Sequence, residues 1–265
     1  MDTDLNGKRA LITGGATGIG RGIALALADE GVDVAIASRN PSTDTIAEIE
    51  SRGVRALRIV ADVSQEQQVV RMVQEAIEGL GGLDLYVNNV AAHWDEPVTK
   101  VTGEGWLNSI NTNLSACVFG CREVARHFIK EESGCILIIG STAAHAPLAT
   151  ETGYRVSKAG LKPYMELLAI ELAPFRIRVN MVTPGYVPTP VSAAIIGDRE
   201  GEFLAQIPLR CPGKPEDLGN AAVCLLSDKL SAYTTGAELV VDGGFRLRPA
   251  PLFSDEEIRR MNTAT

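Results

Sequence analysis

Short runs of consecutive apolar residues alternate along the chain with stretches in which apolar residues recur every three or four positions. The short runs predict seven strands, at 8–13, 32–38, 55–62, 83–89, 134–141, 177–185 and 237–244. The periodic stretches predict helices at 18–30, 41–52, 64–78, 103–130 and 215–227, and one that contains residue 154 and runs to about 173. Uninterrupted apolar runs are typical of parallel strands buried on both faces. We therefore expect an α/β fold, a single doubly wound domain with a central seven-stranded parallel sheet flanked by helices.

Individual residues refine the helix boundaries. Pro41 stands where a helix begins and where its missing N–H costs nothing. Ser64 and Gln67 have the spacing of a capping box for the third helix. Pro163 falls inside the helix that contains Tyr154, where it removes a hydrogen bond and should bend the helix.

The composition excludes several classes of protein. The chain has 265 residues, 45% of them hydrophobic, and a net charge of −8 without a basic cluster, so nucleic acid is not an expected partner. No apolar run is long enough to span a bilayer, and the first residues do not resemble a secretory signal. Five cysteines without CxxC spacing indicate reduced thiols, a cytoplasmic location and no metal site.

A glycine-rich segment, TGGATGIG at 13–20, connects the first strand to the first helix. Small residues allow a ligand to approach the backbone, and the helix N-terminus offers free N–H groups to a phosphate. The spacing is Gly14-x-x-x-Gly18-x-Gly20 and not the GxGxxG of the usual dinucleotide fingerprint. Because a strand precedes the segment and a helix follows it, we expect a nucleotide-binding Rossmann fold.

The end of the second strand indicates which nucleotide binds. A carboxylate there would hold a ribose 2′-hydroxyl, whereas an arginine accommodates a 2′-phosphate. This strand ends in Ser38 and Arg39 without a carboxylate. A solvated arginine is the alternative, but the pair favours NADP(H) over NAD(H), with NAD(H) still possible.

Further motifs follow in a fixed order: Asp62-Val63, NNVAA at 88–92, Asn113, Ser141, YRVSK at 154–158, PGYVPT at 184–189 and VDGG at 241–244. With TGGATGIG, the set resembles the short-chain dehydrogenase/reductase family across residues 5–245. The resemblance implies one domain over 1–245, with a variable substrate lobe at 186–210 and a C-terminal extension at 246–265.

The resemblance also implies catalytic roles. Tyr154 resembles the general acid of reduction and the general base of oxidation, and Lys158 the lysine that holds the nicotinamide ribose and lowers the tyrosine pKa. Ser141, thirteen positions before Tyr154, resembles the hydroxyl that polarises the substrate carbonyl. Asn113 resembles the asparagine that anchors a proton-relay water.

The cofactor contacts implied by the resemblance extend through the chain. They comprise Gly14, Thr17, Gly18, Ile19, Gly20, Ser38, Arg39, Asp62, Val63, Asn89, Tyr154, Lys158, Pro184, Gly185, Val187 and Thr189. Asp62 and Val63 correspond to adenine contacts, Asn89 to a residue near the adenosine ribose. Where the family usually has NNAG, this chain has Val90 and Ala91, which predicts a slightly reshaped cofactor wall.

The spacing of Tyr154 and Lys158 has a chemical rationale. Residues i and i+4 of a helix lie on one face, about 5–6 Å apart at Cβ. Free tyrosine has a pKa near 10, and a buried ammonium one turn away can lower it by roughly two to three units. The phenol then exchanges protons close to working pH.

The substrate is less well defined by the sequence. His93, Trp94, His145 and Tyr186 are the candidate lining residues, and they suggest a small polar compound: a sugar, polyol, hydroxy-ketone or 3-oxoacyl compound. We therefore expect an NADP(H)-dependent oxidoreductase that interconverts a ketone and a secondary alcohol. The alternatives are an NAD-dependent sugar or polyol dehydrogenase, an enzyme that epimerises or dehydrates through a transient ketone, and an NADP-sensing regulatory protein.

Two regions have predicted roles outside the site. The resemblance implies a homotetramer, or a dimer, assembled through the helices at 103–130 and 154–173. Ser254 and Glu257 predict a short capped helix in the extension. That extension is either a frayed tail or a segment whose Leu252 and Phe253 cover a substrate site or a neighbouring subunit.

Overall fold

A parallel sheet forms the centre of the computed structural model, which describes residues 2–40, 42–94, 96, 98–145, 151–189, 192 and 196–247. Its strands are β1 Arg9–Thr13, β2 Asp33–Ser38, β3 Ala56–Val60, β4 Leu85–Asn88, β5 Gly134–Ile139, β6 Ile177–Pro184 and β7 Glu238–Val241. Their order within the described residues is β3-β2-β1-β4-β5-β6-β7. The winding direction reverses between β1 and β4, which confirms the predicted doubly wound sheet.

Helices cover both faces of the sheet. They are α1 Gly18–Asp29, α2 Thr43–Glu50, α3 Glu66–Leu80, α4 Gly103–Ile110, α5 Ala116–Glu131, α6 Thr152–Ala159 and α7 Leu161–Leu172, followed by helices Glu200–Leu204, Pro215–Leu226 and Asp228–Ser231. Short 3₁₀ helices occupy Val98–Lys100, Thr142–Ala144, Ala173–Phe175, Gly197–Arg199 and Phe245–Leu247. Two apolar cores result, one under α3, α5 and α7 and the other under α1 and helix Pro215–Leu226. No helix in the described part of the chain is long and apolar enough to cross a membrane.

The strand register brings the carboxyl ends of the central strands to one edge of the sheet. Thr13 pairs with Ala37, Asn88 with Ile138, and Ile139 with Val182. The residues that follow each of these strands are therefore neighbours in space, although they are far apart in sequence.

The predicted helix at 103–130 is helical over its whole length, but it is not a regular α-helix throughout. A π-helical turn, Asn111–Ser115, separates α4 from α5. A π turn inserts one extra residue into the hydrogen-bonding pattern, and such turns are frequent at functional sites. Asn113 lies within it and is fully buried.

The helix that carries Tyr154 is interrupted at Gly160, between α6 and α7. Pro163 is the third residue of α7, so its ring and its missing N–H disturb the turn before it. The structure thus has two short helices here, and the bend expected at Pro163 itself stays a prediction.

The predicted capping box at Ser64 is wrong. The backbone N–H and the hydroxyl of Ser64 both donate to the Asp62 carboxylate, at 3.0 and 2.8 Å. The hydroxyl is thus already engaged, and α3 begins after Gln65 without a side-chain cap. At α2 the cap is Ser42, which accepts from the Thr45 N–H, whereas Pro41 lies outside the described residues.

Two further predictions remain untested. Residues 248–265, which include the expected helix near Ser254, lie outside the described part of the chain. The division into a domain over 1–245 and an extension after it also stays a prediction.

The packing of α1 against helix Pro215–Leu226 generates a testable prediction. A methyl group on Gly22 would lie 2.5 Å from the carbonyl oxygen of Pro215, so Gly22→Ala must separate the two helices. We expect the free energy of unfolding, measured by urea denaturation, to fall by about 1–3 kcal/mol despite the better helix propensity of alanine. Gly201→Ala is the control, because Gly201 is helical and exposed with no neighbouring atom within 4 Å. Equal stability of the two variants would contradict the close packing.

Candidate active site

A cavity of about 600 Å³ opens at the carboxyl edge of the sheet. It is lined by the predicted cofactor residues Gly14, Thr17, Gly18, Ile19, Gly20, Ser38, Arg39, Asp62, Val63, Asn89, Tyr154, Lys158, Pro184, Gly185, Val187 and Thr189. Ser141, His93 and Tyr186 line it as well. Residues from both halves of the chain therefore meet in a single space.

The glycine loop forms the floor of one end of this cavity. Gly14 and Gly18 have φ values of +69° and +54°, which favour glycine. At Gly20, a methyl group would lie 2.2 Å from the carbonyl oxygen of Gly14. The loop is thus folded tightly against the start of α1, whose free N–H groups suit a phosphate.

Asn89 braces the glycine loop from β4. Its amide nitrogen donates to the carbonyl oxygens of Thr13 at 2.9 Å and Gly14 at 3.3 Å. Its backbone N–H also donates to Thr13 Oγ1, at 2.9 Å. Its neighbour Val90 packs beside Gly14, within 3.1 Å of where a Cβ would stand. Asn89 therefore shapes the cradle as well as lining it.

The far end of the cavity is built from the ends of β2 and β3. Ser38 Oγ is buried and lacks a hydrogen-bond partner among the described residues, an arrangement that suits a ligand acceptor. Arg39 lines the same end. Asp62 is held in place because its backbone N–H donates to Gln68 Oε1 at 3.0 Å. These residues fit the adenosine part of a dinucleotide.

Tyr154 and Lys158 occupy the middle of the cavity wall, on α6. Their exposed fractions are 7% and 3%, and the Lys158 ammonium lies 6.0 Å from the centroid of the Tyr154 ring. Lys158 Nζ donates to the carbonyl oxygen of Ile139 at 2.9 Å. Burial lowers the pKa of Lys158 to about 8. Burial therefore disfavours the charged form of Lys158, which lies close to the Tyr154 phenol.

Ser141 follows β5 and caps the short 3₁₀ helix Thr142–Ala144. Its Oγ accepts from the backbone N–H of Ala143 at 3.1 Å. Because this bond uses a lone pair, the hydroxyl proton remains able to donate to a group in the cavity.

Asn113 does not line the cavity but joins two segments that do. Its Oδ1 accepts from Ala92 N at 2.7 Å, and its Nδ2 donates to Ala92 O at 2.9 Å and to Ser157 Oγ at 3.0 Å. Ser157 Oγ in turn donates to the carbonyl oxygen of Tyr154 at 2.7 Å. The hydrogen bonds of the Asn113 side chain thus hold the backbone after β4 and the backbone of α6 in their positions beside the site.

Two of the predicted substrate-lining residues are not in the cavity lining. The Trp94 indole packs over Gly105 at the start of α4, within 2.5 Å of where a Cβ would stand. His145 Nε2 lies 2.6 Å from Glu238 Oε1, in β7, and His145 is not among the lining residues. Proximity in sequence to Ser141 and β4 was therefore a poor guide for these two residues.

His93 does line the cavity, and its ring lies flat against Tyr154. The ring centroids are 3.7 Å apart with an interplanar angle of 22°. Asn108, Thr112 and Glu151 line the cavity with it. Asn108 and Thr112 were not singled out from the sequence, although their i, i+4 spacing ahead of Asn113 was a usable signal.

An aromatic wall, formed by Tyr186, Phe203 and Phe245, also lines the cavity. Phe203 lies edge-on to Tyr186, and the centroids of successive rings are 5.2 Å apart. The Tyr186 hydroxyl donates to Glu200 Oε1 at 2.8 Å. Burial and this bond raise the pKa of Tyr186 to about 12, so it remains a neutral phenol. Phe203 and Phe245 were missed because they come from distant parts of the sequence.

Comparisons with known proteins agree with this geometry. A family model described as Enoyl-(Acyl carrier protein) reductase matches residues 14–246. A 3-oxoacyl-[acyl-carrier-protein] reductase FabG of Chlamydia pneumoniae is 35% identical, over 92% of this chain and 99% of the relative. 3beta-hydroxysteroid dehydrogenase 1 of Eggerthella lenta is 34% identical, over 94% and 97%. A short-chain type dehydrogenase/reductase from Mycobacterium marinum has a similar structure, with a TM-score of 0.88, 34% identity, and coverage of 94% and 98%.

A dinucleotide cradle that faces a buried tyrosine–lysine pair defines an oxidoreductase acting on hydroxy and oxo compounds. The chain belongs to the short-chain dehydrogenase/reductase family. Members of this family use NAD or NADP as cofactor.

The burial of Lys158 leads to a prediction on stability. Its pKa is lowered from 10.5 to about 8, so the charged form costs the folded protein about 3 kcal/mol at neutral pH. Lys158→Met also loses the bond to Ile139, worth about 1 kcal/mol, so we expect a net gain of about 2 kcal/mol in free energy of unfolding. Turnover should be lost at the same time. Thermal and urea denaturation at pH 7, beside activity, measure both effects.

The same shift fixes the pH dependence. Between about pH 8 and 10.5 the unfolded chain binds more protons at Lys158 than the folded one, so wild-type stability gains from rising pH in this window. The methionine variant should lack this contribution. Lys162→Met is the matched control, because Lys162 is a half-exposed residue of the next helix whose ion pair with Glu166 lies at the surface and should contribute little to stability. A variant at position 158 that is less stable than wild type would contradict the cost of burial.

Proposed function

We propose that this protein is an NADP(H)-dependent oxidoreductase that interconverts a ketone and a secondary alcohol, with Tyr154 as general acid and base. The observation that carries the proposal is the buried Tyr154–Lys158 pair between the dinucleotide cradle and the polar end of the cavity. Ser141 lines the same space.

The bound nicotinamide cofactor supplies the hydride-transfer chemistry. During reduction the Tyr154 hydroxyl donates its proton to the substrate oxygen, and during oxidation the phenolate takes it back. Lys158 stabilises the phenolate by its charge. The Ser141 hydroxyl donates to the same substrate oxygen and stabilises the negative charge that develops there. Asn113 holds α6 and the segment after β4 together, and so keeps these groups in register.

The preference for NADP(H) rests on the end of β2. An arginine stands there together with a buried hydroxyl that has no hydrogen-bond partner in the described part of the chain, and both can donate to anions. A carboxylate that would repel a 2′-phosphate does not follow β2 in the sequence, which continues Ser38-Arg39-Asn40.

The substrate we propose is a small polar carbonyl or hydroxy compound, of the sugar, polyol, hydroxy-ketone or 3-oxoacyl type. His93, Asn108, Thr112 and Glu151 give this end of the cavity several hydrogen-bonding groups. The relatives named for 3-oxoacyl and 3beta-hydroxysteroid substrates support the chemistry of a ketone and a secondary alcohol, but they differ in the body of the substrate.

We also propose that the protein assembles as a homotetramer through the helices at 103–130 and 154–173. Family members are typically oligomeric. Large apolar side chains are exposed on these helices, at Leu107, Val156, Leu167 and Ile170, the last with 74% of its surface exposed. Contact between subunits would remove this surface from water.

Removal of the Tyr154 hydroxyl tests the proposed acid–base role. Tyr154→Phe should lower kcat by about 10²–10⁴-fold in ketone reduction, because the proton donor is lost. NADPH binding should remain, because the ring that lines the cavity is retained. Tyr233→Phe, at a fully exposed position, should leave kcat unchanged. Comparable kcat values for the Tyr154 variant and wild type would refute the role.

Fluorescence titration with NADPH and with NADH tests the cofactor preference. We expect NADPH to bind at least about tenfold more tightly, the value of one charge-assisted bond to a phosphate. Arg39→Leu should remove this advantage and leave NADH binding nearly unchanged. Arg52→Gln is the control, because Arg52 is paired with Asp29 outside the cavity lining. If NADH binds as tightly as NADPH to the wild type, the protein is better described as an NAD-dependent sugar or polyol dehydrogenase.

A further inference from the structure

The imidazole of His93 covers one face of the Tyr154 phenol. With centroids 3.7 Å apart and planes inclined by 22°, the rings are in full stacking contact. The Lys158 ammonium stands 6.0 Å from the centroid of the same phenol ring. Tyr154 therefore has two basic side chains as neighbours, those of His93 and Lys158, although only the lysine is part of the expected catalytic set.

The stack is held by the Asn113 side chain. This residue binds both backbone groups of Ala92, the residue immediately before His93. It also donates to Ser157, whose hydroxyl donates to the carbonyl oxygen of Tyr154. One buried amide thus joins the segment that carries the imidazole to the helix that carries the phenol.

We propose that His93 is a positioning residue for Tyr154: its ring orients the phenol, and its protonated form stabilises the phenolate. The proposal rests on the proposed role of Tyr154 in catalysis. An imidazolium in contact with a phenolate is an opposite charge at short range, which favours the ionised phenol. Histidine is the side chain whose charge changes near neutral pH, so the support grows as the pH falls.

Other charged groups also act on this pair. The titratable and charged residues that line the cavity in the described part of the chain are Arg39, Asp62, His93, Glu151, Tyr154, Lys158 and Tyr186. Arg39 and Asp62 belong to the adenosine end. Glu151 is paired with Arg155 at 3.3 Å, and Tyr186 is bound to Glu200. Lys158 and His93 are therefore the groups whose charge bears most directly on the phenol.

The consequence is a coupled titration of two groups. With histidine present, a proton can reside on the imidazole while the phenol is ionised, so phenolate persists on the acid side of its titration. With a ring of similar shape that cannot be protonated, this state is lost. The two proteins should therefore differ at low pH and converge at high pH, where the imidazole of the wild type is neutral.

The test compares wild type, His93→Phe and His93→Ala by the tyrosinate absorbance of Tyr154. Subtraction of the spectrum of a matching Tyr154→Phe protein isolates this residue at each pH. The phenylalanine variant should show several-fold less phenolate than wild type at about pH 6 and an equal amount at about pH 9. On the acid side of its pH profile, kcat for alcohol oxidation should show the same several-fold loss. His93→Ala should show the acid-side loss too, together with about a tenfold lower kcat at high pH, because the phenol ring is no longer held.

The controls separate this proposal from simpler roles. His127→Phe changes a histidine outside the cavity lining. It should leave the pH dependence of tyrosinate absorbance and of alcohol oxidation as in wild type. Superimposable tyrosinate curves for wild type and His93→Phe would overturn the proposal, and so would a change in KM alone. If the phenylalanine variant does not fold, the alanine variant must still lose phenolate at low pH. The absorbance measurement needs no substrate. An absence of turnover in wild type would therefore refute the proposed function, while the tyrosinate curves would still decide whether His93 and Tyr154 are coupled.

Discussion

The positive charge of Lys158, buried in the wall of the cavity, is the constraint on which the rest of the site depends. Burial opposes this charge, as its lowered pKa shows, and one backbone oxygen, that of Ile139, accepts its hydrogen bond. Among the described residues no carboxylate forms an ion pair with it, and the surrounding strands and helices hold it in place. A charge held in this way is available to the phenol of Tyr154 and to a bound ribose. The proposed acid–base role of Tyr154 would account for a buried charge that folding alone does not favour.

A second constraint is the irregular backbone around Asn113. A regular helix over 103–130 would point this side chain in a different direction relative to α6. The π turn lets one fully buried amide bind Ala92 on one side and Ser157 on the other. The close packing of the glycine loop depends in addition on Asn89, whose side-chain amide donates to two carbonyl groups of the loop. Two asparagines thus convert separate loops into one rigid site.

The sequence was sufficient to predict the seven strands, their parallel arrangement and the residues that form the cradle, because these features follow from local apolar patterns and from ordered motifs. It was not sufficient for features decided by packing. The π turn has no periodic signal of its own, and Ser64 lost its capping role to the neighbouring Asp62. His145 and Trp94 were placed near the cavity by their position in the chain, but Glu238 and Gly105 hold them elsewhere. Phe203 and Phe245 reach the cavity only through tertiary contacts.

The contact between Gly22 and Pro215 links the beginning of the chain to its last quarter. The hydroxyl of Ser227 strengthens this link by donating to the carbonyl oxygen of Thr3, across 224 residues. Helix α1 packs on β1 and β2 of the sheet, and helix Pro215–Leu226, from the last quarter of the chain, covers the side of α1 that carries Gly22. That side of α1 therefore stays uncovered during synthesis until helix Pro215–Leu226 has been produced. A ligand held at the start of α1 can stabilise the complete packing of this helix only after helix Pro215–Leu226 has joined it.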